Sequence, residues 1–187
     1  ANSVSEYFTA ALLCLATRHG FPLSGKTLGI IGVGNVGSRV AIKGRALGLR
    51  VLLNDPPQAE ALRSGGNSTW GYAAEDFVGL DDLLARADII SLHVPLSRTG
   101  PYPTFHLAGR DFFRRAKPGV IFLNPARGAA VDTPELVAAL RSGRVAHAVI
   151  DTWEGEPLVS HELAELCELA TPHIAGHSFE GRAMGTV

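Results

Sequence analysis

Thr27-Leu28-Gly29-Ile30-Ile31-Gly32-Val33-Gly34-Asn35-Val36-Gly37 is the stretch that decides how this chain folds. Thr27 to Ile31 is short and apolar, the length of one buried strand, and Gly32 to Gly37 fits the G-x-G-x-x-G pattern. Val36, Val40 and Leu47 follow at helical spacing, and a second apolar strand, Val51-Leu52-Leu53, ends on Asn54-Asp55. Each glycine meets a separate physical need. Gly32 permits a tight turn, Gly34 lets the backbone approach a pyrophosphate, and Gly37 lets helix pack closely on strand. The helix N-terminus offers free N–H groups and a positive dipole end to phosphate oxygens. Asp55, 18 residues beyond Gly37, is placed to accept hydrogen bonds from a ribose 2′- and 3′-hydroxyl pair. A carboxylate there repels a 2′-phosphate, which favours NAD over NADP. A glycine-rich turn alone is weak evidence; the complete strand–loop–helix–strand–acid unit is much more specific.

Strands alternate with helices through the remainder. Leu80 to Ala87 reads as a helix and Asp88 to Leu92 as a strand; Phe112 and Phe113 belong to a helix before the strand Val120 to Leu123. Thr133 reads as an N-cap with Pro134 behind it, and Ala146 to Ile150 as a strand. Ser160 caps a helix running to Glu168. This alternation predicts a Rossmann-type α/β fold, doubly wound, with a mostly parallel sheet and helices on both faces. Upstream, Ser3 and Glu6 suggest a capping box for a helix over about 3–19, with Tyr7, Ala10, Ala11, Cys14 and Leu15 at helical spacing. The irregular stretch from Gln58 to Asp76 follows the strand-breaking Pro56-Pro57, Phe77-Val78 reads as a short strand, and Trp70 and Tyr72 read as aromatics tucked under a surface loop.

With 187 residues, 46% of them hydrophobic, and a net charge of −1, the chain is long enough to bury about 70% of its unfolded surface without a disulfide or metal staple. It has no basic stripe for nucleic acid. The apolar run Thr9 to Ala16 is too short to cross a bilayer and lacks the flanks of a signal peptide. The two cysteines, Cys14 and Cys167, form no C-x-x-C pair and read as reduced core residues of a cytoplasmic protein. No residue is assigned to a metal. The abrupt start inside a helical pattern reads as a piece of a longer chain.

Ligands of open α/β sheets bind beyond the carboxyl ends of the strands. His93-Val94-Pro95 stands at one such end, and Arg127, Glu156 and His173 follow others. A histidine base for a hydroxyl proton, a carboxylate to orient it and an arginine to clamp a carboxylate are what oxidation of a 2-hydroxy acid needs. Taken singly, each of the three fits a surface charge or a capped loop residue better than a catalytic role.

Gly32 to Gly37, Asn124-Pro125-Ala126-Arg127-Gly128, Asp151-Thr152-Trp153-Glu154-Gly155-Glu156-Pro157 and Thr171-Pro172-His173-Ile174-Ala175-Gly176 together resemble the D-isomer-specific 2-hydroxyacid dehydrogenases, in that family's order and over essentially the whole chain. The resemblance implies Arg127 as substrate clamp, Glu156 rather than Glu154 as partner carboxylate and His173 as acid/base. It also implies cofactor contacts from Asn35, Val36, Asp55, Val94, Ala126, Asp151 and Gly176, beside Gly32, Gly34, Gly37, His93 and Pro95. Asn54-Asp55-Pro56-Pro57, the insert Gly100 to Leu107 and the tail Phe179 to Thr186 resemble the branch that oxidises 4-phospho-D-erythronate in vitamin B6 synthesis. His177 stands where that branch tends to have a tyrosine near the substrate, and the loop between Pro57 and Asp76 looks longer.

The family implies that residues 1–187 are an NAD-binding domain, with a hinge helix and a core over about 26–176, lacking a substrate domain and a C-terminal dimerisation domain. The longer protein is then expected to be a homodimer. Alternatives within the class are enzymes for 3-phosphoglycerate or hydroxypyruvate; outside it stand a non-catalytic NAD-sensing module and, more distantly, a methyltransferase.

Overall fold

The computed structural model describes residues 1–177, so the tail from Phe179 lies outside the described residues. Six strands form one parallel sheet in the order β2-β1-β3-β4-β5-β6. They are β1 (Thr27–Ile31), β2 (Arg50–Asn54), β3 (Ile89–Leu92), β4 (Val120–Asn124), β5 (Val145–Ile150) and β6 (Leu169–Ala170). β1, β3 and β4 are buried along their whole length, which is why they read as continuous apolar runs without alternation.

Two apolar layers sandwich the sheet. On one face, α1 (Asn2–His19), α2 (Asn35–Ala46) and α3 (Pro56–Arg63) bury Phe8, Leu12, Val40 and Ala59 against Leu28, Ile30 and Leu53. On the other, α4 (Leu80–Arg86), α5 (Arg110–Arg115), α6 (Thr133–Arg141) and α7 (His161–Leu166) bury Leu83, Phe112, Leu136 and Leu163 around Phe122 and Ile150. No helix among the described residues is long and apolar enough to cross a membrane.

The structure corrects several local readings. The first helix already starts at Asn2, with Ala1 at the N-cap position and no side-chain cap, so Ser3 and Glu6 form no capping box. Its buried face is Ser5, Phe8, Ala11, Leu12 and Leu15; Ala10 and Cys14 face outward, and Cys14 is therefore not a core residue. Pro56-Pro57 opens a helix rather than an irregular segment. Asp55 caps α3 by accepting from the Gln58 N–H, and proline needs no N–H donor partner in a first turn. Asp132, not Thr133, caps α6. α7 ends at Leu166, short of Glu168, and Phe77 makes only an isolated bridge with Leu53.

The β1–α2 turn bears out the steric roles of Gly32 and Gly37. Gly32 has φ +89°, and a Cβ on Gly37 would lie 2.0 Å from the Gly32 carbonyl oxygen. We expect Gly37→Ala to cost about 2–3 kcal/mol through overpacking, measured as the loss in urea-unfolding free energy. Wild-type stability in that variant would refute the close-packing role.

Candidate active site

The strand order reverses between β1 and β3, the switch point where an open sheet leaves a crevice. A cleft of about 580 Å³ opens there, lined by Gly32, Asp55, Val94 and Pro95 at the strand ends and by Pro101 to Thr104 of the long loop. That volume suits a small-molecule site. Gly34, the N-cap of α2, is exposed, and a Cβ there would meet no protein atom. Its openness is what a pyrophosphate lying against the backbone requires. The Asp55 carboxylate accepts from the Val33 N–H at 2.8 Å and from Gln58 N and Nε2 at 3.0 and 3.3 Å. These bonds hold it under the glycine loop and leave a lone pair on Oδ1 as its remaining acceptor position. Asn35 is exposed at the start of α2, and Val36 packs partly into the core.

His173 and Glu156 come together: imidazole Nδ1 lies 2.8 Å from Glu156 Oε2. Glu156 also accepts from the Trp153 N–H at 2.6 Å through its other oxygen. Partial burial works to raise the Glu156 pKa, but the hydrogen bonds from His173 and Trp153, with the charge of the imidazolium, outweigh it and hold the carboxyl below its ordinary range. His173 has φ +54°, the left-handed region where a side chain is strained.

Asp151, 1% exposed, fixes that turn. Its carbonyl accepts from the His173 N–H at 2.8 Å, and its carboxylate from Ile174 N, Ala175 N and Thr171 Oγ1 at 2.8, 2.9 and 2.7 Å. With the Thr171 hydroxyl proton directed at Asp151, Tyr7 of α1 donates to Thr171 Oγ1 at 2.6 Å. Both Asp151 oxygens are thus engaged within the protein. Gly176, by contrast, is exposed, with open space around its Cα.

Arg127 is exposed and makes no hydrogen bond or ion pair with His173 or Glu156; its guanidinium donates to the Ala126 carbonyl at 2.7 Å. Its loop nevertheless adjoins theirs. Asn124, 1% exposed, donates to the Arg127 carbonyl and accepts from Ala126 N, while its own carbonyl accepts from Asp151 N and Thr152 N. Gly128 packs so tightly on Trp153 that a Cβ would lie 1.9 Å from the Trp153 oxygen.

His93 is placed differently from the other strand-end residues. Its ring meets Phe8 of α1 edge-on, its Nε2 lies 2.9 Å from Ser91 Oγ, and Nδ1 is buried without a partner among the described residues. Burial drives the imidazole down to a pKa of about 3, leaving it neutral. Its carbonyl, beside Gly32, is the group that faces the turn. His177 is exposed, its Nδ1 3.2 Å from the His173 carbonyl.

Sequence reasoning passed over two features. Tyr102 hydrogen-bonds Glu60 of α3, so the insert walls the cleft; the length and prolines of that loop are the signal that points to it. His106 pairs with Glu154 at 2.5 Å and with Asp132 at 3.5 Å. Glu154 accepts from Thr133 N as well, which gives it a structural role distinct from that of Glu156. The Arg39 guanidinium lies over the Trp70 ring and Tyr72 meets Phe77 edge-on, as loop aromatics.

The family described as "D-isomer specific 2-hydroxyacid dehydrogenase, NAD binding domain" matches residues 14–175. An erythronate-4-phosphate dehydrogenase of Edwardsiella ictaluri is 49% identical over 186 residues, covering 100% of this chain and 47% of that protein. Its counterpart in Salinibacter ruber is 48% identical, covering 100% and 46%. The chain thus spans about half the length of the curated relatives it matches. A D-lactate dehydrogenase from Aquifex aeolicus, solved with NAD and lactic acid, superposes with a TM-score of 0.77 at 29% identity, over 97% of this chain and 62% of that one. A glyoxylate reductase from Paecilomyes thermophila gives 0.75 at 30% identity, over 98% and 58%.

The lowered Glu156 pKa gives a signed expectation. Its stabilising effect is fully present above the unfolded value of about 4.3 and is lost as pH falls through the folded one. Unfolding free energies of wild type and Glu156→Gln should therefore differ at pH 7 and converge in that acid window. A gap constant down to the folded-state value would contradict the His173–Glu156 bond.

Proposed function

The chain belongs to the D-isomer specific 2-hydroxyacid dehydrogenases, as their NAD-binding domain, and on that premise we propose that it is the cofactor half of an enzyme oxidising 4-phospho-D-erythronate to 2-oxo-3-hydroxy-4-phosphobutanoate. The observation that carries the reading is the His173–Glu156 pair on the loops beyond β5 and β6. The relatives' names supply the substrate.

Glu156 on Nδ1 leaves Nε2 of His173 as the atom that takes the substrate hydroxyl proton, while the carboxylate stabilises the imidazolium that forms. Arg127 turns from the Ala126 carbonyl to the substrate carboxylate, for which a guanidinium is the fitting partner. The nicotinamide, when bound, takes the hydride. Gly32, Gly34 and Gly37 shape the pyrophosphate turn, Asn35 and Val36 begin the helix behind it, and Asp55 holds the adenosine ribose. Val94, Pro95 and Ala126 line the remaining path, the His93 backbone supports the turn, and Asp151 and Gly176 frame the nicotinamide end. His177 stands near the substrate.

A longer protein would add the substrate domain that closes the cleft and excludes water, in a cytoplasmic homodimer, with α1 as the hinge. This domain alone then binds NAD and turns over poorly.

Two variants test the reading in the complete protein and in the domain. In the complete protein, His173→Ala should lower kcat with 4-phosphoerythronate by about 10²–10⁴-fold and leave the NADH dissociation constant within about twofold; unchanged turnover would remove His173 as the base. Preference for 3-phosphoglycerate or hydroxypyruvate would keep the pair and change the substrate, while NADH binding without turnover would favour a sensing module. In the domain itself, Gly34→Ala should weaken NADH binding at least about tenfold while costing the fold no more than about 1 kcal/mol. Unaltered affinity would remove Gly34 from the pyrophosphate site.

A further inference from the structure

Away from the cleft, three side chains from three separate elements converge on one point. His19 closes α1, His147 sits early in β5, and Glu168 directly precedes β6. His19 Nε2 and His147 Nδ1 lie 3.1 and 3.4 Å from the same atom, Glu168 Oε2, and the ligand atoms of all three lie within 4.8 Å of one another. The two rings sit 4.0 Å apart between centroids. We propose that His19, His147 and Glu168 form a binding site for a divalent transition-metal ion of the zinc type, joining the end of α1 to the β5–β6 edge of the sheet.

Ligand atoms bound tetrahedrally at the usual zinc distances stand roughly 3.3–3.5 Å apart. The contacts to Oε2 are within a few tenths of an ångström of that spacing. Two imidazoles and one carboxylate are a borderline donor set that suits zinc, nickel or copper better than magnesium or calcium. Three protein ligands leave a fourth position for water, and the side chains are 31%, 23% and 19% exposed, so an ion has a route in.

The surroundings prepare the donors. Arg18 Nη1 holds the other carboxylate oxygen, Oε1, at 2.5 Å, an outer partner of the kind that orients a ligating carboxylate. The Glu168 N–H is tied to the Ala148 carbonyl at 2.9 Å, so two ligands are placed by the sheet. α1, 18 residues long, ends at His19, where the negative end of the helix dipole attracts a cation.

The site is separate from the chemistry above. His147 precedes Asp151 by four residues, about 13 Å along the strand.

Titrating the chain with zinc chloride by calorimetry tests the assignment. One Zn²⁺ per chain is expected, raising the melting temperature because it binds only the folded state. His19→Asn, at an exposed helix end the fold tolerates, and Glu168→Gln should each weaken binding at least about 100-fold, since even outer partners are worth 10–100-fold. His161→Asn, an exposed histidine outside the cluster, should change nothing. No bound zinc in the wild type, or wild-type affinity in His19→Asn, would overturn the proposal.

Discussion

A single buried carboxylate sets the geometry of the candidate site. Asp151 leaves β5 at 1% exposure, and its burial is tolerated only because its acceptor positions are matched with donors. Those donors are the backbone of the loop that carries His173. A left-handed histidine costs of order 1–3 kcal/mol, and the bonds from His173 N, Ile174 N and Ala175 N to Asp151 are what offset it. The imidazole consequently projects at Glu156. Through Thr171, the same carboxylate is connected to Tyr7, so α1 and the His173 loop form one hydrogen-bonded unit.

Asn124 has the matching role on the neighbouring strand. It binds the Arg127 loop by its side chain and the Asp151–Thr152 backbone by its carbonyl. The loops after β4, β5 and β6 are thereby locked together at the carboxyl edge of the sheet, while the β1–β3 crevice holds the glycine turn. The crevice and the His173–Glu156 pair lie on one edge of the sheet. The Arg127 guanidinium stays on its own loop, donating to the Ala126 carbonyl.

The fold was legible because a two-sided parallel sheet demands continuous apolar strands, and Thr27 to Ile31, Ile89 to Leu92 and Val120 to Leu123 leave no other reading. The glycine turn was legible for a similar reason, since Gly32 and Gly37 each answer a separate steric demand. Pro56-Pro57 misled because proline breaks a strand and starts a helix with equal ease, and only the Asp55 cap decides between them. The buried face of α1 misled because Tyr7, Phe8, Ala10, Ala11, Leu12 and Leu15 offer more than one apolar stripe. His19 beside His147 and Glu168 is a tertiary juxtaposition that no spacing along the chain announces.

The most direct test of Asp151 as the organiser of the site is the state of the His173 imidazole in Asp151→Asn, observed by ¹H–¹⁵N NMR of the ring nitrogens. The variant replaces one acceptor oxygen by a donor facing N–H groups, without touching His173 or Glu156. The hydrogen-bonded Nδ1 signature should be lost while the amides of β1, β3 and β4 stay protected. An unchanged His173 signature would show that the loop holds its turn without Asp151, and the ordering described here would be wrong.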